Sequence, residues 1–163
     1  MRTLNSIVFT LFLAALAIQG LSLPAGAQGA GDVAVIVNPN NPVSNLTISD
    51  LRKILAGEKR YWPGGGHVKL IVLPPGSHAR LVLLRLVGMS ESEYKQFCTA
   101  QVFRGEADAE PLTIPSFGMV KEAAQVFPGA IALVDFKDIK PGMYIKVLKV
   151  DGRMPGEASY SLH

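Results

Sequence analysis

Apolar residues along this chain fall into two rhythms. Val33-Ala34-Val35-Ile36-Val37, Val68–Leu73 and Ala130-Ile131-Ala132-Leu133-Val134 are short, nearly unbroken apolar runs. Runs of this length bounded by turn residues predict strands covered on both faces. Tyr144–Val150 predicts one more strand near the end. Between the runs the spacing changes to that of helices. Leu51, Ile54 and Leu55 form one stripe, preceded by Thr47-Ile48-Ser49-Asp50, where Thr47 can accept from the Asp50 N–H. Leu46 and Leu51 flank that box as a hydrophobic staple, and Gly57 supplies a stop. Ser77 is placed to cap a helix over Ala79–Val87, apolar almost all round and therefore expected to be buried. Ser90 to Glu93 is a second capping box, with Met89 and Tyr94 as its staple. Tyr94, Phe97, Cys98 and Val102 then follow at helical spacing towards Gly105. Ser116 opens a last helix carrying Val120, Ala123, Ala124 and Phe127, which Pro128-Gly129 breaks. Strands alternating with helices predict an α/β/α three-layer sandwich around a mostly parallel sheet.

The intervening stretches read as turns. Two prolines and three asparagines over residues 38–42 end the first strand. Residues 106–115 form an acidic, proline-bounded loop with a short extended piece at Leu112–Ile114. No internal repeat or long linker divides the chain, so a single domain over residues 33–150 is expected, followed by a polar tail over 151–163.

The N-terminus changes the picture of the whole. Arg2, the apolar segment Ile7–Ile18 and the A-x-A pattern Ala25-Gly26-Ala27 predict a signal peptide over residues 1–27, removed on export. Its apolar core is shorter than the roughly 20 residues that a membrane-spanning helix needs. Residues 28–32 then form a flexible lead-in, and the mature protein is expected to be periplasmic or secreted, without a membrane span. Loss of Arg2 from 16 basic residues leaves 15 against 13 acidic ones, a formal charge of +2. So weak and scattered an excess excludes nucleic acid as a natural partner. Cys98 is alone, which rules out an internal disulfide and leaves stability to packing.

Candidate chemistry concentrates at Pro74-Pro75-Gly76-Ser77-His78-Ala79-Arg80. A strand, a Gly-Ser turn and a helix start in that order direct backbone N–H groups and the positive helix end at one point, which favours an anion. His78 and Arg80 lie near enough to that end to assist, alongside Gly76 and Ser77. In parallel α/β sheets ligands sit at such helix starts, beyond the carboxyl ends of the strands. Trp62, in the glycine-rich stretch Tyr61–Gly66, either packs the loop onto the domain or lines a partner surface. Catalysis is not expected: there is no G-x-S-x-G, no H-E-x-x-H and no cysteine with a placed base. Ser77 and adjacent His78 point about 100° apart on a helix and form no dyad. Triple glycine without a following Lys-Ser/Thr is no P-loop, His67 has no spaced metal partner, and no cofactor is implied.

Several phrases in register extend this reading. They are Asn38 to Val43, Leu46–Gly57, Trp62-Pro63-Gly64-Gly65, Pro75-Gly76-Ser77, Val102-Phe103-Arg104-Gly105 and Pro128–Val134. Together they resemble the phosphate-type periplasmic substrate-binding proteins of ABC transporters, and more narrowly short stand-alone members with one PBP-like domain. The resemblance implies a single lobe of a type II periplasmic-binding fold, with inorganic phosphate or a similar oxyanion as ligand. It also implies an ABC permease or another envelope protein as partner. Gly76 and Ser77 match the family's phosphate loop. Leu73 stands where that loop has arginine and Ala79 where it has threonine, so charge-assisted donors are missing and weak binding is expected. One lobe offers half a cleft, which a homodimer would complete. The alternative is an adaptor of the same fold without a small-molecule ligand.

Overall fold

In the computed structural model, which describes residues 31–163, the predicted strands and helices form in the expected order. Val33–Val37 is β1, buried along its whole length. A two-residue strand that the apolar pattern does not signal, β2 (Asn45–Leu46), precedes α1 (Ile48–Leu55). Thr47 caps α1 by accepting from the Asp50 N–H at 3.0 Å, and Leu51, Ile54 and Leu55 are its buried stripe. Next come β3 (Lys69–Val72), α2 (His78–Val87), α3 (Glu91–Phe103), β4 (Leu112–Thr113), α4 (Phe117–Val126), β5 (Ala130–Asp135) and β6 (Lys146–Val150). The predicted leader, residues 1–27, lies outside the described residues.

The six strands make one sheet in the order β2-β6-β1-β5-β3-β4. The β2/β6, β5/β3 and β3/β4 pairings are parallel, whereas β1 is antiparallel to both of its neighbours. Five strands therefore run one way and β1 alone runs the other. The sheet is mostly parallel as expected, with its one reversed strand at the centre. Reversal brings the start of β1 to the edge where the other five strands end, and Val33 pairs with Asp135 there.

Two cores flank the sheet. On one face Val33, Val35 and Val37 pack with Leu51, Leu55, Leu83 and Tyr94 of the first three helices. On the other, Ala34, Ile36, Ala132 and Val134 pack against Val120 and Ala124 of α4. Residues 151–163 correct the expectation of a polar tail. Tyr160 and Leu162 are buried in the first core, the Tyr160 hydroxyl donates to the Val33 carbonyl, and the Val33 N–H donates to Leu162. Two buried apolar side chains and the hydrogen bonds to Val33 dock the segment, even in polar surroundings. Among the described residues no helix is long and apolar enough to cross a membrane.

Candidate functional site: the start of α2

The end of β3 and the start of α2 are joined by a tight turn at the carboxyl edge of the sheet. Gly76 holds φ +84, a region that side chains disfavour, and the Ser77 N–H donates back to Pro74. Ser77 is the N-cap residue, but its side chain does not cap. Its hydroxyl donates to the Pro74 carbonyl at 2.8 Å, and α2 has no side-chain cap bond. The sequence-based expectation of a Ser77 cap is corrected by this local bond: the Pro74 carbonyl, three residues back, outcompetes the helix N–H groups. The other three α-helices are capped, by Thr47, by the reciprocal Ser90/Glu93 box and by Ser116. At α2 the first-turn N–H groups are left without a side-chain acceptor, at the end where the dipole is positive.

His78, the first residue of α2, leans towards β5. Its Nδ1 lies 2.6 Å from Asp135 Oδ1, with both side chains about one-fifth exposed. A carboxylate only accepts, so Nδ1 carries the proton, and Nε2 is buried without a partner among the described residues. Asp135 was not singled out in the sequence. Its signal is there in hindsight: one acid directly after five apolar residues of a strand, at the end of the sheet where ligands gather.

Arg80 does not join this group. It is 7% exposed and turns to α3, where Nε and Nη2 bond the two carboxylate oxygens of Glu91 at 3.0 and 2.7 Å. Its guanidinium also lies over the Tyr94 ring, 4.5 Å from the centroid. The Arg80 bond holds the Glu91 carboxyl below its usual range. Arg80 thus ties α2 to α3, which corrects the expectation that it assists an anion. Glu91, expected to serve the dipole of α3, is the other half of that tie.

Trp62 is 5% exposed, and its indole N–H donates to the Gly129 carbonyl at 3.0 Å. That carbonyl also accepts from Lys69, so one atom pins both the glycine-rich loop and the first residue of β3. Burial removes the ring from any partner surface. No cluster of three or more metal-ligating side chains occurs among the described residues.

The start of α2 thus stands uncapped beyond the carboxyl ends of parallel strands, on one α/β/α lobe. The chain has the fold of phosphate ABC transporter substrate-binding proteins. Over 80% of its length it matches a Clostridium perfringens protein described as such and solved with bound phosphate, at 22% identity and TM-score 0.63. It matches an ABC-type phosphate transport receptor from Vibrio cholerae at 20% identity and TM-score 0.60 over 76% of its length. PstS from Borrelia burgdorferi matches at 19% identity and TM-score 0.57, again over 76%. The chain spans about half the length of these structures, 51%, 48% and 49% respectively. No family model and no curated protein sequence matches it.

Proposed function

We propose that this protein is an exported, non-catalytic solute-binding lobe that holds phosphate or a related oxyanion at the start of α2. The observation that carries the reading is the uncapped first turn of α2, whose N-cap serine bonds backward and leaves N–H groups for a ligand. Gly76 offers a backbone without Cβ obstruction, with no atom within 4 Å of where a Cβ would stand. His78 sits beside these N–H groups with its ring oriented by Asp135. Leu73 and Ala79 contribute no charged or hydroxyl donor, so the affinity belongs to a few neutral hydrogen bonds, about 1 mM in Kd. A second copy facing the same edge would supply the missing wall of the cleft, and an ABC permease is the partner that fits such a lobe.

Calorimetry with phosphate and sulfate tests the reading on the wild type and on Asp135→Asn. Removal of a carboxylate beside the site should tighten anion binding several-fold, since like charges near a shared site repel. The adaptor reading draws on the same pair, because Asp135 already brings a carboxylate to the α2 start through His78. Heat from neither anion, in either form of the protein, would favour the adaptor.

A further inference from the structure

Among the described residues, one ion pair contains a histidine, and it sits at the first turn of α2: His78 with Asp135. Nδ1 gives its proton to the Asp135 carboxylate, so the charge of the pair depends on Nε2 alone. With Nε2 bare the ring is neutral and the pair carries the single negative charge of Asp135. With Nε2 protonated the imidazolium cancels that charge. A donor at Nε2 would lock the first form and an acceptor the second. Neither is there, because Nε2 has no hydrogen-bond partner among the described residues. The other charges around the pair are committed or exposed. On α2, Arg80 is bound to Glu91 of α3, and Arg85 donates to the His163 carbonyl. On α3, Glu93 bonds the Ser90 N–H and Lys95 is exposed. Asp32, ahead of β1, accepts from the Gly156 N–H. On α1, Asp50 is paired with Lys59, while Arg52 and Lys53 are exposed. Lys137 and Asp138, in the short turn after β5, form no ion pair among the described residues.

We propose that the His78–Asp135 pair makes anion binding at the α2 start proton-linked, so that an oxyanion is held more tightly when Nε2 is protonated. The inference rests on the reading of that helix start as an oxyanion site. An anion on the first turn favours the cationic form of a neighbouring group. By reciprocity, the proton raises the affinity of the anion by the same factor. Asp135 gives the proton its leverage. It orients the ring through Nδ1, and beside a neutral ring its carboxylate repels the ligand. Acidification therefore changes the site as Asp135→Asn does, since each removes one negative charge. A histidine ordinarily changes charge between about pH 5 and 8. The lobe would then capture oxyanions in acidic surroundings and release them as pH rises.

Calorimetric titration of the full chain with sulfate at about pH 5.5 and about pH 8 tests the linkage, because sulfate keeps its charge across this range. Wild-type affinity should be about fivefold higher at the lower pH, the low end of coupling between sites. His78→Gln should remove the difference, with circular dichroism confirming that it folds. Replacing either of the other two histidines, by His67→Gln or His163→Gln, should keep it. Asp135→Asn at the higher pH should match the wild type at the lower, since a neutral ring beside an amide also carries no charge. Phosphate itself titrates in this range, so there the ratio of wild-type to His78→Gln affinity is taken at each pH. That ratio should rise on acidification by the same factor. Equal sulfate affinity at both pH values, or a difference that survives His78→Gln, would overturn the inference and leave the anion site standing. Binding of neither anion at either pH would overturn both.

Discussion

Gly129 shows how much one backbone atom organises. A Cβ at this position would stand 1.8 Å from the His67 carbonyl oxygen, so the turn before β5 and the loop before β3 meet only because the side chain is absent. Gly129→Ala should cost about 3 kcal/mol, the upper range for overpacking, read as a lower midpoint in urea unfolding. A second residue-scale prediction concerns acid. Arg80 holds the Glu91 pKa below its ordinary 4.5, so the unfolded chain takes up that proton first. The pair's contribution is then present above that value and is lost as pH falls through the lower, folded pKa. Glu91→Gln should flatten the stability profile in this acid range and leave an unpaired buried guanidinium, lowering stability at neutral pH. Denaturant unfolding from neutral pH down to the acid limit checks both.

Among the elements, the helix starts separate what sequence can tell from what it cannot. Thr47, Ser90 and Ser116 were legible as caps because their partner is three residues away in the same chain segment. Ser77 has the same residue type in the same position, yet bonds Pro74. The competitor is a carbonyl exposed by the Pro-Pro-Gly turn, which no periodicity reveals. Ser90→Ala should therefore cost about 1 kcal/mol while Ser77→Ala costs a few tenths, measured as paired unfolding free energies. Asn38 makes the same point for a loop. The sequence reads it as a turn residue, whereas its side chain donates to the Ala124 and Gln125 carbonyls at the end of α4. Both bonds span more than 80 residues, beyond the reach of local pattern. Asn38→Ala should lose about 2 kcal/mol by leaving two carbonyls short of a donor.

Across the whole molecule the apolar runs named the strands that matter and the alternation named the layers. The reversal of β1 was hidden, because a fully buried strand reads the same in either direction. Reversal has a consequence for the site: it sets Val33 against Asp135 and so anchors the carboxylate that orients His78. The docking of the last thirteen residues is hidden for a related reason. Their few apolar side chains carry no period, yet Tyr160 and Leu162 close the first core. The α2 start was located from sequence, and Asp135 and the true role of Arg80 were not, since each depends on a partner in another element. The central claim is that an oxyanion rests on the first turn of α2. Titration of phosphate into isotope-labelled protein, followed by amide NMR, tests it most directly. Saturable shifts largest at the N–H groups of Gly76, His78 and Ala79 are the predicted result, and shifts absent there at saturating phosphate would contradict it.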